Sequence, residues 1–287
     1  MRSFLLRLVR ISLYLGLTLS LMGVQALLLA LKSPLAAALP RLYHRLCCRI
    51  LGFRIDAKGA PPNRHPILFV VNHVSYTDIT ILGALINGSF VAKSEVANWP
   101  LFGTLAKLQR TVFVERRGHR AASQRSAIAS RLAAGDDLVL FPEGTSSDGN
   151  RVLPFKSALL SAAENAAGDA PITVQPVSLA YVRLNGMPIG RLYRPFFAWY
   201  GDMEMAPHLW TLLGLGIVTV SVEFHAPMLA SVFPSRKALA AHCYATIAEG
   251  VATALSGRER RAAGSGDAAL APQPAAASSD AIAGAQA

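Results

Sequence analysis

The first candidate for chemistry in this sequence is a histidine and an aspartate placed five positions apart, His73 and Asp78. An aspartate that accepts a hydrogen bond from one ring nitrogen fixes the histidine tautomer and leaves the other nitrogen as a base for a hydroxyl proton. On one continuous helix the two side chains would lie roughly 140° apart. We therefore expect His73 in the turn before a helix and Asp78 in its first turn. The alternative interpretation is a helix-capping Asp78 beside an incidental His73.

A second polar segment, residues 141–147, reads Phe-Pro-Glu-Gly-Thr-Ser-Ser and follows another apolar run. The backbone N–H groups of a Gly-Thr-Ser turn can bind an anion or orient a polar substrate. By itself, Pro-Glu-Gly is an ordinary turn, so this segment gains meaning only beside the first one. Both segments follow apolar runs that predict buried strands, and open α/β sheets commonly build sites at the carboxyl ends of their strands.

The elements that must position these segments are short apolar runs separated by helical stretches, which predict an α/β fold with a mixed central sheet flanked by helices. The apolar runs predict strands at residues 67–71, 90–92, 111–114, 137–141, 172–179 and 217–224. Helical spacing predicts helices at 78–85, 121–134 and 235–255. Ser235 is expected to cap the last of these helices.

The N-terminal region is both apolar and basic. Residues 11–31 run for about twenty positions without a charge, which is long enough to cross a bilayer as a helix. Residues 1–64 hold ten of the 28 Lys and Arg residues against a single acidic residue, Asp56. Because basic residues around an apolar segment suit anionic lipid headgroups, we expect a membrane anchor followed by an amphipathic basic helix at 39–51. The alternatives are a cleaved signal peptide, an anchor that lies in the interface, and a helix at 39–51 that faces the core.

These patterns divide the chain into three parts: a membrane anchor with its basic helix at 1–64, an α/β domain at 65–257, and a disordered tail of Ala, Gly, Ser and Pro at 258–287. The positive residues after the anchor favour the inner, cytoplasmic membrane, with the domain on the cytoplasmic side. The net charge of +11 does not indicate nucleic acid, because the basic residues surround the apolar segment. Three cysteines without ligand spacing predict no metal site.

Four blocks follow one another within residues 65–180. They are Asn-His-x-Ser-x-x-Asp at 72–78, an apolar strand ending in a basic residue at 111–116, Phe-Pro-Glu-Gly-Thr at 141–145 and Val-x-Pro-Val at 174–177. In this order and context the blocks resemble the glycerolipid acyltransferase family, whose type member is 1-acyl-sn-glycerol-3-phosphate acyltransferase. No single block carries that resemblance alone.

The resemblance implies transfer of a fatty acyl group from acyl-CoA or acyl carrier protein to the free hydroxyl of 1-acyl-sn-glycerol-3-phosphate. The product is phosphatidic acid, in phospholipid biosynthesis, and no bound cofactor is needed. His73 is then the base and Asp78 its partner. The resemblance implies substrate contacts for Ser75, Arg116, Glu143, Gly144 and Thr145. The implied partners are membrane lipids, the lysophospholipid acceptor and acyl carrier protein.

Two positions depart from the family pattern. Many members continue Gly-Thr with Arg-Ser, whereas Ser146 and Ser147 stand here, and the Gly that often opens the second block is Arg110. The missing Arg is implied in binding the acceptor phosphate. The alternative acceptor is therefore a lyso-ornithine lipid, since lyso-ornithine lipid O-acyltransferases resemble the same blocks.

Two functions of other classes remain open at the level of sequence. A serine hydrolase would use Ser75 as its nucleophile, although no G-x-S-x-G motif occurs in the chain. A non-catalytic lipid-binding membrane adaptor would use the basic N-terminus for lipid and would leave the His73 and Asp78 pair without a purpose.

Overall fold

A computed structural model describes residues 2–114, 121–161 and 172–257 of the chain. The α-helices of this part are α1 Arg2–Ala30, α2 Leu35–Leu51, α3 Thr77–Leu85, α4 Phe102–Leu108, α5 Ala121–Ala133, α6 Met205–Leu213 and α7 Arg236–Ser256. Short 3₁₀ helices run over Ser94–Asn98, Ser157–Leu160, Arg194–Phe196 and Ala230–Val232. The strands are β1 Phe53–Lys58, β2 Ile67–Val71, β3 Ser89–Lys93, β4 Val112–Val114, β5 Leu138–Leu140, β6 Thr173–Leu184, β7 Met187–Pro188, β8 Val218–Phe224 and β9 Met228–Leu229.

The strands form a mixed sheet in the order β1-β8-β6-β2-β5-β3-β4, with β7 and β9 both pairing with β6. Neighbours from β6 through β4 are parallel, β1 is parallel to β8, and β8 is antiparallel to β6. This architecture confirms the expected mixed central sheet flanked by helices. It also brings the carboxyl ends of β2, β5 and β6 to one edge of the sheet, where the two polar segments follow β2 and β5.

Helices cover both faces of the sheet because its central strand is apolar on both sides. All five residues of β2 are buried, and they divide alternately between two core clusters. Ile67, Phe69 and Val71 pack with residues of α3 and α6 in the first cluster. Leu68 and Val70 pack with residues of α5 and α7 in the second. A strand buried on both faces and flanked in this way is typical of three-layered α/β proteins.

The sheet contains β1, β7 and β9, which the sequence analysis did not predict, and a longer β6 than expected. β1 lies in the segment that the sequence analysis assigned to the anchor and basic helix, and it pairs with β8 from Phe53 to Lys58. The first half of β1 contributes the side chains that are buried, and its last three residues are exposed. β6 continues to Leu184, beyond the expected end at residue 179. The cap of the last helix is as expected, since the Ser235 hydroxyl accepts the Ala238 N–H.

Helix α1 is docked onto the domain along one side. Its buried polar side chains are Arg10, Thr18 and Gln25, whose spacing of about two helical turns places them on one face. Arg10 donates to the carbonyls of Leu213 at 3.1 Å and Leu215 at 2.6 Å, just after α6. Gln25 donates to carbonyls in α2 and α4. These contacts make α1 part of the packing of the domain, which favours an anchor that is retained over a cleaved leader.

The other side of α1 exposes leucines, valines and Phe4, so an apolar surface faces outward along its length. By length and composition, α1 and α7 are the helices of the described part that are apolar enough to cross a membrane. Helix α7 contributes Leu239, Ile247 and Val251 to the second core cluster, as a core helix does. Helix α2 buries one face, including His44, Cys47 and Cys48, so that face meets the core.

Candidate active site

His73 and Asp78 are held together by the turn between β2 and α3. β2 ends at Val71, and α3 begins at Thr77, so His73 lies in the turn and Asp78 in the first helical turn. His73 Nδ1 and Asp78 Oδ2 are 2.8 Å apart. The geometry that the spacing required is therefore present. With Nδ1 bonded to the carboxylate, the neutral ring presents Nε2 as its acceptor nitrogen, the atom that removes a proton in general base catalysis.

Asp78 is fully buried, and its carboxylate is satisfied by donors on three sides. Oδ2 accepts the backbone N–H groups of Val74 at 2.7 Å and Ser75 at 2.9 Å, in addition to His73. Oδ1 accepts the hydroxyl of Tyr181 at 2.8 Å. The carboxylate thus ties the turn to α3, as a capping residue would, and orients the imidazole as well. Asp78 therefore acts both as the helix cap and as the hydrogen-bond partner of His73, the two interpretations of the spacing.

The position of His73 is fixed by contacts of its ring and by hydrogen bonds of its backbone. The ring stacks on Phe141 with centroids 4.2 Å apart and planes 22° from parallel. Its backbone N–H donates to Glu143 Oε1 at 2.8 Å, and its carbonyl accepts the N–H of Ser147 at 2.9 Å. The second polar segment therefore holds the first one in place. The side chain keeps 21% of its surface exposed, which leaves one edge of the ring accessible.

Glu143 lies behind His73 and not in the cavity described below. Its side chain is 2% exposed, and its two oxygens accept the backbone N–H groups of His73 and Leu153. Burial raises the pKa of the Glu143 carboxyl to about 8, although the two backbone donors oppose the shift. We expected this residue to contact the acceptor. Its position corrects that expectation, because both oxygens are already occupied by backbone groups that shape the turn.

Gly144 and Thr145, for which the resemblance implied substrate contacts, line the cavity described below together with Ser146. Gly144 has a φ of +67°, and a side chain there would meet the amine of Lys156. Glycine is thus needed both for the backbone turn and for the close approach of Lys156. The Ser146 hydroxyl donates to the carbonyl of Trp199.

Ser75 has no access to the cavity. Its side chain is fully buried, and its Oγ accepts the N–H of Thr77 at 3.5 Å. A nucleophilic or substrate-contacting role needs an accessible hydroxyl, so the position of Ser75 contradicts both the expected substrate contact and the serine hydrolase alternative. Asn72, at the start of the same block, bridges to β6 through both backbone groups of Leu179.

A cavity of about 860 Å³ opens beside His73. Its wall comes mainly from α1, α2, α4 and α6 and is largely apolar, and His73 is one of the lining residues. Lys93, Lys156 and Arg236 bring positive charge to it, and the described lining residues include no Asp or Glu. The volume and the largely apolar lining with a few cations suit an acyl chain that has a polar end.

Arg116, the expected phosphate contact, and the tail at 258–287 lie outside the described residues. The sequence analysis did not identify two residues of the site. Tyr181 and Thr77 join the hydrogen-bond network of Asp78 from β6 and α3. Tyr181 follows the Val-x-Pro-Val block by four positions, and it reaches the site because β6 pairs with β2.

A sequence model of the family described as Acyltransferase matches residues 54–180. The chain is 48% identical over 248 residues to a lyso-ornithine lipid O-acyltransferase of Brucella abortus (strain 2308), which covers 85% of this chain and 93% of that relative. It is 34% identical over 169 residues to a 1-acyl-sn-glycerol-3-phosphate acyltransferase of Neisseria gonorrhoeae, which covers 58% of this chain and 62% of that relative.

The fold is shared with a solved structure. The crystal structure of the 1-acyl-sn-glycerophosphate (LPA) acyltransferase from Thermotoga maritima matches with a TM-score of 0.61 at 22% identity, covering 90% of this chain and 99% of that chain. Apolar α1, together with relatives named for acyl transfer to lipids, indicates association with a membrane. Given the extent of identity to the Brucella relative, this chain belongs to the acyltransferase family.

Proposed function

We propose that this acyltransferase esterifies the hydroxyl of a lyso-ornithine lipid, with His73 as general base and Asp78 as its partner. The observation that carries the acceptor is the 48% identity to a lyso-ornithine lipid O-acyltransferase across 93% of that relative. The relative named for 1-acyl-sn-glycerol-3-phosphate is 34% identical over 62% of its length. The sequence analysis put 1-acyl-sn-glycerol-3-phosphate first, and the comparisons favour its stated alternative.

The residue after Thr145 supports the same acceptor. Where many family members carry an Arg implied in phosphate binding, Ser146 is short, uncharged and engaged with the Trp199 carbonyl. Lys156 remains beside Gly144 as a cation on the cavity wall. One ammonium group suits the single carboxylate of an ornithine headgroup better than the double charge of a phosphate monoester.

The chemistry is a direct transfer between a thioester and an alcohol. The acceptor hydroxyl gives its proton to Nε2 of His73 as its oxygen attacks the thioester carbonyl carbon. Collapse of the tetrahedral intermediate breaks the C–S bond, and the departing sulfur takes the proton from the imidazolium. Asp78 stabilises that imidazolium through Nδ1, 2.8 Å away. A positioned base of this kind contributes about 10² to 10⁴ in rate.

The donor in this proposal is acyl-CoA or acyl carrier protein, used as a co-substrate without a bound cofactor. Its acyl chain would occupy the apolar part of the cavity, with the thioester next to His73. The positive charges of Lys93 and Arg236 on the cavity wall suit the phosphate-bearing arm that both donors share.

Membrane lipids are the remaining partners. The outward apolar face of α1 would enter the bilayer, and the cavity that α1 helps to line would then lie at the lipid surface where acceptor and product reside. We assign the protein to the inner membrane with its catalytic domain on the cytoplasmic side, because basic residues follow α1 and both donors are cytoplasmic.

The test is an acylation assay with the purified full-length protein, a labelled donor and two acceptors, lyso-ornithine lipid and 1-acyl-sn-glycerol-3-phosphate. We expect kcat/KM to favour lyso-ornithine lipid by about tenfold or more, which corresponds to about 1.4 kcal/mol. A matched control is a lyso-ornithine lipid that lacks the acceptor hydroxyl, which must remain unacylated. Faster transfer to 1-acyl-sn-glycerol-3-phosphate would overturn the acceptor, and lipid binding without any turnover would support the adaptor alternative.

A further inference from the structure

Behind Asp78, two hydroxyl groups continue its hydrogen-bond network into the core. The Tyr181 hydroxyl on β6 donates to Asp78 Oδ1 at 2.8 Å. The same hydroxyl is 2.6 Å from the Thr77 hydroxyl on α3. Since Tyr181 has one proton and gives it to the carboxylate, Thr77 must be the donor in the second bond. The order of donation is Thr77 to Tyr181 to Asp78.

The network is closed to water and rigidly held. Thr77 is 2% exposed, Asp78 0% and Tyr181 3%. The Tyr181 ring stacks on Phe197 with centroids 5.9 Å apart and meets Phe53 of β1 edge-on. Burial and the Asp78 carboxylate raise the pKa of Tyr181 well above its ordinary value, so its hydroxyl keeps its proton. A protonated, immobile phenol next to a carboxylate is a permanent donor to it.

The position of this donor separates the two oxygens of Asp78 by task. Within the described residues, Oδ2 accepts hydrogen bonds from His73 and the turn, and Oδ1 accepts one from Tyr181. A hydrogen bond to a charged group strengthens in a buried site, where the medium screens it little. Without this donor the negative charge of Asp78 would be concentrated on Oδ2, and a proton would bind the His73–Asp78 pair more tightly.

We propose that Tyr181, with Thr77 behind it, is a positioning residue that sets the proton affinity of the His73–Asp78 pair and thereby the pH range in which His73 acts as a base. This inference rests on the proposed role of His73. Neither hydroxyl is placed to touch the reacting atoms, because Asp78 stands between Tyr181 and the imidazole.

Other titratable groups near the pair lie on α3, on α6 and in the segment after β5. Glu143 follows β5 and contacts the His73 backbone, and Tyr76 at the start of α3 bonds to His208 of α6 at 3.0 Å. Lys156 lies beside Gly144 on the cavity wall. Tyr181 differs from these groups because its hydroxyl donates a hydrogen bond directly to Asp78.

The test is the pH profile of kcat/KM for Tyr181→Phe in the full-length protein. Loss of a hydrogen bond to a buried charge is expected to move the acidic limb up by about one pH unit, because the base then loses its proton only at higher pH. We also expect kcat to fall about tenfold while KM for the acyl donor changes less than about twofold. Tyr244→Phe is the matched control, since Tyr244 lies on α7 away from the cavity lining.

A second pair of variants keeps the test decisive if Tyr181→Phe folds poorly. Thr77→Val removes the hydroxyl at nearly constant volume and should move the limb the same way by about half a unit, and Thr77→Ser should keep the limb in place. An acidic limb that stays put in both Tyr181→Phe and Thr77→Val, with the rate reduced equally at every pH, would refute the inference. His73→Ala measured alongside distinguishes that outcome, since normal activity in His73→Ala would instead remove the proposed function.

Discussion

The turn at residues 72–78, at the end of β2, is surrounded by polar partners. The cavity wall made by α1, α2 and α4 instead consists mainly of apolar side chains. In the turn, the Asp78 carboxylate accepts hydrogen bonds from four groups. The helical wall has few hydrogen bonds between side chains, such as the one of 3.0 Å between the Thr18 and Tyr43 hydroxyls. Hydrogen bonds are directional and apolar packing is not, so the turn determines geometry and the wall determines volume.

This contrast predicts that changes in the turn alter rate and that changes in the wall alter the choice of substrate. The strongest test is His73→Ala, which removes the base without touching the wall. We expect kcat to fall by about 10³ with KM for the acyl donor nearly unchanged and the unfolding temperature within a few degrees of the parent. The measurement is steady-state kinetics beside thermal unfolding, with the exposed His242→Ala as control. Substantial transfer by His73→Ala would mean that the turn does not carry the chemistry.

The next effect is expected from Glu143→Gln, which alters the support behind His73. A glutamine accepts one backbone N–H through its oxygen but presents donors to the other, so one of the bonds to His73 and Leu153 is lost and kcat should fall about tenfold. Exposed Glu204→Gln is the matched control.

The same variant tests the stability that the raised pKa of Glu143 implies. The pKa of the Glu143 carboxyl is about 8 in the folded protein and 4.5 in an unfolded chain, so the folded state binds the proton more tightly. Its contribution is therefore most favourable below 4.5 and is lost as the pH rises through about 8. The unfolding temperature of the parent should decline across this range, and that of Glu143→Gln should decline less. Equal slopes would show that Glu143 titrates normally in the fold.

A change in the wall should act on selectivity. Met22 on α1 lines the cavity, and Met22→Trp reduces the space for an acyl chain. We expect the ratio of kcat/KM for long-chain over short-chain donors to fall about fivefold, with little change for the short donor. The reason is that a long chain loses binding free energy when some of its methylenes are excluded from the apolar pocket. Gly23→Ala is the control, since nothing lies within 4 Å of a side chain at that position. A uniform loss for all chain lengths would contradict the separation between wall and turn.

The smallest effect is expected at the boundary between the two regions. Ser146 lies on the turn after β5 but faces the cavity, so Ser146→Arg tests whether this edge selects the acceptor headgroup. We expect transfer to 1-acyl-sn-glycerol-3-phosphate to improve about twofold to threefold relative to lyso-ornithine lipid, the gain of a partly exposed ion pair. Ser130→Arg, at an exposed position of α5, adds the same charge elsewhere and should leave the ratio unchanged. An unchanged ratio in both variants would assign headgroup choice to the wall.

The sequence predicted the parts of this structure that repeat a simple pattern. β2 is an uninterrupted apolar run and β8 alternates apolar and polar residues, so both strands were predicted correctly. The contact between His73 and Asp78 followed from helical geometry, since their spacing permits it only across a helix start.

What the sequence could not reveal depended on long-range pairing. β1 is an edge strand with exposed residues in its second half, so it lacks an apolar pattern and is recognisable only by its partner β8. Tyr181 reaches Asp78 because β6 lies next to β2, a neighbour relation that no local signal carries. The family resemblance implied a substrate contact for Glu143, yet the backbone N–H groups of His73 and Leu153 occupy its two oxygens.

The bonds from Arg10 to the carbonyls of Leu213 and Leu215 have a mechanical consequence. They fasten α1 to the catalytic domain near its first turns, while Gln25 fastens it again near its end. A helix braced at both ends cannot tilt or slide without carrying the sheet with it. In the proposed membrane arrangement, the depth of α1 in the bilayer would therefore fix the height of His73 above the bilayer.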